Sequence, residues 1–295
     1  MVPAGLVNRG HGMSRVIVTS ASGANGGGYG TVLSFTTEGE LIGRFSDDDR
    51  IDDPRGLVIH PANHLVYLCS GSDRILALDK KGAVALDSGR IAGLDPGGAV
   101  FGPDGRLYVT LRRRGTVLAV PPGLDDHGTP LFPDYVVPYP RGIGFGLDGR
   151  FYLSSGIGPS GQGDNTIAVF SQDGAPIDSH LIEDPEFSPL DMTVAPNGNL
   201  VVNSEWPFGA PRAHVTVREY DPKNGRLLRV LSPDPSTGFT KPRGLRLTSD
   251  DRLYCVGQDH VVAYEFSSGR FLGVVAELQG INGQAVVVAQ NHVAA

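Results

Sequence analysis

Long uninterrupted stretches are what this sequence lacks. Its 41 glycines and 22 prolines, about a fifth of 295 residues, interrupt it so often that no run free of both exceeds 12 residues, reached at 245–256 and 284–295. Helical bundles, coiled coils and a membrane-crossing helix of ~20 residues are thereby excluded. Cysteine is nearly absent. Cys69 and Cys255 cannot build a disulfide framework, and one position apart in equivalent strands they are expected to face opposite sides as buried, inert thiols. Charge is sparse as well: 19% of residues are charged, against a usual ~25%. The balance of 25 basic and 32 acidic side chains leaves a net charge of -7, which argues against nucleic acid as a partner. Residues 1–13 lack the charged start, apolar run and small-residue cleavage site of a secretory leader. The expectation is a cytoplasmic protein with no membrane partner, an N-terminal extension over 1–13 and one domain over 14–295.

What is present is a repeat. PRGLVIH at 54–60, PGGAVFG at 96–102, PRGIGFG at 140–146, PLDMTVA at 189–195 and PRGLRLT at 242–248 are versions of one block, with INGQAVV at 281–287 a degenerate sixth. Their starts lie 42, 44, 49, 53 and 39 residues apart. After each comes a turn, in three copies an Asx-Gly turn (PDGR, LDGR, PNGN), and then a second block, LVYLCSG, RLYVTLR, RFYLSSG, NLVVNSE or RLYCVGQ; RVIVTSA near the N-terminus supplies the sixth. A third block recurs six times (GTVLSFT, DRILALD, GTVLAVP, NTIAVFS, HVTVREY, HVVAYEF) and a fourth is visible as ELIGRFS, RLLRVLS and RFLGVVA. Four short strands every ~40 to 50 residues make a propeller blade, which buries its faces only between neighbours. The fold expected is an all-β, six-bladed β-propeller with four-stranded blades. Because the chain opens on a second block and ends on a first, Gln284 to Val288 are expected to pair beside Arg15 to Thr19 and close the ring.

At these blocks the sequence resembles the NHL-repeat six-bladed propellers, whose units have a Pro-x-Gly-apolar start, an aspartate-glycine turn, an aromatic-containing second strand and an apolar third strand. The resemblance runs over about residues 14–290. It implies the architecture and leaves the function open, since related propellers include gluconolactonase-like hydrolases, strictosidine-synthase-like enzymes, amidating lyases and non-catalytic interaction domains.

In such a ring the turn entering each innermost strand and the loop from second to third strand share one rim, at the channel mouth. The residue after the blade-opening proline is Arg55, Gly97, Arg141, Leu190 or Arg243, with Asn282 in the degenerate copy. Arginine thus stands in alternate blades. Three guanidiniums around one channel repel unless anions lie between them, and two readings follow. The acidic entry loops (Asp47, Asp48, Asp49, Asp52, Asp53, Asp134, Glu183, Asp184, Asp234) pair with the arginines internally, or an anionic ligand does so, gripped through bidentate guanidinium contacts. Three of the second-to-third loops are eight residues long, at 22–29, 157–164 and 206–213, and one carries Trp206; they are expected to form a lid over a pocket. GANGGGYG lies between two strands, without the helix N-terminus of a nucleotide cradle. HExxH, paired Cys-x-x-Cys and GxSxG motifs are absent, and His60, His214 and His260, at strand ends, read as structural imidazoles.

Asp191 replaces the blade-opening glycine of the fifth blade, and Asn203 and Glu205 end its second strand. An Asp, an Asn and a Glu beside Trp206 suit proton transfer or a hard divalent ion. Asp191 in PLDM is similar to the aspartate of the Pro-Asp-Gly-Met motif of gluconolactonase-like propellers, one residue displaced, and Asn282 in INGQ to their Asn-Gly; that resemblance implies a channel divalent cation such as calcium, with Asp191 and Asn282 among its ligands. The function expected is a small-molecule enzyme, a lactonase-like hydrolase or a lyase, acting on an anionic or polyhydroxylated substrate. Arg55, Arg141, Arg243, Asn203, Trp206 and Asn282 would bind it, with Asp191 and Glu205 catalytic. The other class is a non-catalytic propeller that binds a protein partner through its rim.

Overall fold

The structure, a computed structural model, describes residues 14–21, 30–71, 73–156, 163–184, 186–206, 214–277 and 279–289, with backbone alone at 205, 206 and 214. It contains 24 strands in six four-stranded antiparallel sheets. Blade 2 is β4 to β7 (Leu57–Ile59, Val66–Ser70, Arg74–Leu78, Val84–Asp87), blade 3 is β8 to β11 (Pro96–Phe101, Leu107–Leu111, Thr116–Val120, Thr129–Pro130) and blade 4 is β12 to β15 (Ile143–Phe145, Phe151–Ser155, Thr166–Phe170, Pro176–Glu183). Blade 5 follows as β16 to β19 (Pro189–Val194, Leu200–Trp206, His214–Tyr220, Leu227–Leu231) and blade 6 as β20 to β23 (Gly244–Leu247, Arg252–Val256, His260–Glu265, Arg270–Glu277). Among the described residues the one helical element is a 3-10 turn at Pro235–Thr237, and no helix is long and apolar enough to cross a membrane.

Blade 1 joins the two ends of the chain. The C-terminal strand β24 (Gly283–Ala289) is its innermost strand and pairs antiparallel with β1 (Arg15–Ser20), Val16 facing Val288 and Thr19 facing Ala285; β2 (Thr31–Thr36) and β3 (Leu41–Ser46) complete the sheet. The ring therefore has no unpaired innermost strand, as the block order requires.

Period-2 alternation explains why blades stack. In β5, Val66 and Leu68 enter the cluster shared with blade 1, while Tyr67 and Cys69 enter the one shared with blade 3. The same division gives six apolar clusters, each spanning one pair of neighbours around the ring. Cys69 packs toward blade 3 and Cys255 toward blade 5, on opposite sides of their blades. Both are buried and unpaired to each other, and burial pushes each thiol up to about 12. The Asx-Gly turns are built as the sequence indicates: Asp104 Oδ1 accepts the Arg106 amide at 3.1 Å, Asp148 Oδ1 that of Arg150 at 3.1 Å, and the intervening Gly105 and Gly149 have φ of 78° and 81°.

Candidate functional site

The six innermost strands converge on the channel, and their approach explains the glycine of the Pro-x-Gly block. A Cβ on Gly142 would stand 2.7 Å from the Leu190 carbonyl oxygen and 2.8 Å from Asp191 Cα; one on Gly98 would stand 2.8 Å from the Arg141 carbonyl oxygen. Side chains of the second strands then tie each blade to the next. Thr19 Oγ1 donates to the Arg55 carbonyl at 3.0 Å, Thr110 Oγ1 to the Arg141 carbonyl at 2.8 Å and Ser154 Oγ to the Leu190 carbonyl at 2.6 Å. The residues that open the innermost strands are thus pinned through their own backbones, which fixes where their side chains begin.

Those side chains line one polar funnel. Arg55, Arg141 and Arg243 reach it from blades 2, 4 and 6, joined by Arg112 from the second-to-third turn of blade 3, Arg246 from β20, and Asp191. The enclosed space is small: the centres of water-sized molecules have about 40 Å³, where one water needs ~10–15 Å³. A few waters or a single carboxylate, sulfate or phosphate group fit.

The five cations are not compensated alike. Arg55 Nη2 donates to Asp53 Oδ2 at 2.8 Å and Nη1 to Gln284 Oε1 at 3.3 Å. Arg112 Nη2 lies 2.5 Å from Asp95 Oδ1. Arg246 donates Nη2 to the Leu57 carbonyl at 3.1 Å and Nε to the Val286 carbonyl at 3.5 Å, reaching across blade 1 to blade 2. Arg243 donates to the Pro242 carbonyl at 3.0 Å. Arg141 has no hydrogen bond or ion pair from its guanidinium to any described residue; it lies over the Tyr139 ring at 5.7 Å from the centroid, with Arg112 over the same ring at 5.5 Å. Burial, then Arg243 and Arg112, pull Arg141 down to about 9, so it is still charged at neutral pH. Arg55 is lowered in the same direction by burial and by Arg112, against the pull of Asp53.

One backbone feature recurs at this rim. The residue before the blade-opening proline has a left-handed backbone in four blades: Asp53 (φ 43°), Asp95 (27°), Tyr139 (47°) and Lys241 (49°). Left-handed φ is rare outside glycine, and a following proline favours extended backbone instead. The side chains at this position supply both aspartates that pair with funnel arginines.

Asp191 sits where the other blades have glycine, so its side chain must enter the gap between the innermost strands of blades 5 and 6. There Oδ1 accepts the Met192 amide at 2.9 Å and Oδ2 the Leu245 amide at 2.8 Å, and the carboxylate makes no ion pair. Burial raises its pKa from the usual 3.8, against the opposing pull of Arg246, the two amides and Arg141. Asn203 is brought beside it: Asn203 Oδ1 accepts the Asp191 amide at 2.8 Å and Nδ2 donates to Cys255 Sγ at 3.6 Å. Asn282 is not. Its Nδ2 donates to the Ala21 carbonyl at 3.0 Å, and Gln284, two residues on, lines the funnel instead. The side chains of Glu205 and Trp206 lie outside the described residues, as do the long loops apart from residues 163, 164 and the backbone of 206.

For a divalent cation this donor set is a poor fit. The carboxylate oxygens of Asp191 already accept amides, the Asn203 oxygen does too, and the neighbouring charges are guanidiniums. Among the described residues no three His, Cys, Asp or Glu side chains gather. His60 has a local role: Nδ1 accepts the Ala62 and Asn63 amides, each at 3.1 Å, and its ring packs edge-on against Phe101.

The ring and its funnel define a six-bladed β-propeller with a cationic channel mouth. No family model and no curated protein matches the chain by sequence. Solved structures of the same fold do. The propeller of a nidogen/laminin complex has a TM-score of 0.70 at 14% identity, over 94% of this chain and 98% of that one. A virginiamycin B lyase from Staphylococcus aureus has 0.59 at 14% identity, over 93% and 91%. A gluconolactonase from Xanthomonas campestris has 0.60 at 20% identity, over 83% and 84%. At these identities the likeness is one of fold.

Proposed function

We propose that the protein binds a small anionic substrate over the channel mouth and acts on it as a hydrolase or lyase. The observation that carries this reading is Arg141, a partly buried guanidinium facing three other arginines with no carboxylate paired to it among the described residues. Holding a guanidinium among like charges in a funnel is costly unless an anion completes it. Arg141 is the anchor in this reading, Arg55 and Arg243 flank the ligand, and Asp191, the one carboxylate among the described funnel residues, is the proton-transfer group. A carboxylate with a raised pKa is suited to that role because it exchanges protons nearer neutral pH. Two of the neighbours by fold are named as a lyase and a lactonase, which suits the reading without fixing a substrate.

A second reading rests on Tyr135 and Val136, which are 81% and 42% exposed beside the second-to-third turn of blade 3. Exposed apolar side chains at a rim suit a protein partner, and one neighbour by fold is named for a complex of two proteins. The test is calorimetric titration of the whole chain with malonate and with sulfate, alongside a screen of lactones and carboxylated elimination substrates. Binding lost in Arg141→Ala, and turnover lost in Asp191→Asn, are expected. A wild-type protein that binds neither anion contradicts the proposal.

A further inference from the structure

The three Pro-Arg-Gly openings differ in one residue, the one before the proline: Asp53 in blade 2, Tyr139 in blade 4 and Lys241 in blade 6. All three hold the same left-handed backbone. With the backbone constant, the side chain at this position decides what the arginine two residues later meets. In blade 2 the Asp53 carboxylate takes the Arg55 guanidinium at 2.8 Å. In blade 4 the Tyr139 ring lies against Arg112 and Arg141, and no carboxylate among the described residues pairs with Arg141. For an aromatic residue this conformation is the less favourable choice, because Asp and Asn tolerate positive φ better. Strained backbone of this kind persists where the surroundings hold it and concentrates at functional sites.

We propose that Tyr139 is a specificity-determining residue: standing where blade 2 has an aspartate, it keeps Arg141 clear of an internal carboxylate and open to the oxyanion group of a ligand. The inference rests on the reading of the mouth as an anion site and deepens it, since it names the group that is bound and what reserves the place for it. An aspartate here would be the ligand's competitor within the chain. The face of the ring adds cation-π attraction without neutralising the charge, so the guanidinium is oriented while its anion-binding capacity stays intact.

The test compares Tyr139→Asp with Tyr139→Asn. Both relieve the backbone equally and both remove the ring; only one brings a charge. Sulfate and malonate, the inorganic and carboxylate arms, are titrated into the whole protein at low ionic strength, and thermal unfolding is followed in anion-free buffer. Tyr139→Asp is expected to bind at least tenfold more weakly than Tyr139→Asn and to unfold at a higher temperature, because the new Asp-Pro-Arg pair reproduces the one in blade 2. Asp53→Asn, which releases Arg55, is expected to bind sulfate severalfold more tightly than the wild type. If the wild type binds and Arg141→Ala does not, while Tyr139→Asp and Tyr139→Asn bind alike, the role of Tyr139 is overturned and the anion site stands. If the wild type binds neither anion, the proposed function falls, and the inference is then decided by stability: equal unfolding temperatures for the two variants overturn it, and a higher one for Tyr139→Asp upholds the pairing.

Discussion

Blades 2 and 4 open on the same Pro-Arg-Gly, and their arginines reach the same funnel, yet among the described residues one has an ion pair and the other has none. Arg55 carries its own counter-ion, Asp53, at 2.8 Å. Arg141 faces Arg243, Arg112 and Arg55, with the Tyr139 ring beside it and no ion pair to any described residue. Copies of a repeat can therefore share a backbone conformation at one position, as four of the six do here, and still differ in what their arginines meet, through a single side chain. Blade 3 makes the same point from the other side, since Asp95 answers Arg112, a residue from a different turn.

The largest effect is expected at Arg141. Arg141→Ala is expected to weaken sulfate or malonate binding by roughly ten- to a hundredfold, the scale of a lost charge-assisted hydrogen bond of ~1.5–3 kcal/mol, by calorimetry. Its unfolding temperature should hold or rise, because the deletion also removes repulsion with Arg243 and Arg112. A variant that binds anions normally would place the site elsewhere.

Gly142, which follows Arg141, comes next. Gly142→Val would press a side chain against the Leu190 carbonyl and Asp191 Cα, and overpacking of this kind costs ~1–3 kcal/mol. A lowered denaturation midpoint is expected, together with weaker anion binding, since Arg141 shifts with its neighbour. Thr110→Val removes the bond from Thr110 Oγ1 to the Arg141 carbonyl and the one that Oγ1 accepts from the Gly98 amide at 2.8 Å. About 1–2 kcal/mol of stability should be lost, with a smaller effect on binding than Gly142→Val.

Asp191 supplies the smallest effect and the one with a definite sign. Its pKa is raised in the fold, so between the unfolded value of 3.8 and the folded one the native state holds the extra proton. Stability from this group is therefore fully present below 3.8 and is lost as pH rises through the folded pKa. Anion binding moves the same way: a bound anion disfavours the charged carboxylate, so sulfate affinity should rise severalfold as pH falls through that pKa. Asp191→Asn should flatten the profile. Sulfate is the suitable probe because it does not itself titrate there.

Much of the fold was legible because the requirements that shape it are periodic. Alternating apolar residues in the second and third blocks have to feed two different blade interfaces, and the Pro-x-Gly start has to let innermost strands approach, so both recur visibly. The outer strands of blades 2, 3 and 4 were not seen. β15 is almost wholly exposed and β11 is two residues long, and a strand that buries little leaves little pattern. At the site, Arg55, Arg141 and Arg243 are readable from the block itself. Arg112, in a short turn, and Arg246, within a strand block, carry no signal that marks them in the sequence. Asp53 is readable among the acidic entry loops and does pair with Arg55; Asp95 and Tyr139 are not, because each stands one residue upstream of the repeating block. The signal for Tyr139 lies in DPRG, YPRG and KPRG, which differ at the first residue. Asn282 has the residue type suited to a metal ligand, but the left-handed turn it occupies (φ 45°) directs its amide to the Ala21 carbonyl.

In the proposed function an external oxyanion completes the charge around Arg141. Thermal unfolding of the wild type and of Arg141→Ala, each in sulfate and in chloride at matched ionic strength, tests it most directly, because a ligand that binds only the native state stabilises by RT ln(1 + [L]/Kd). Sulfate should raise the wild-type midpoint progressively above that in chloride, and the difference should vanish in Arg141→Ala. The same sulfate response in both proteins, or none in the wild type, would contradict the account.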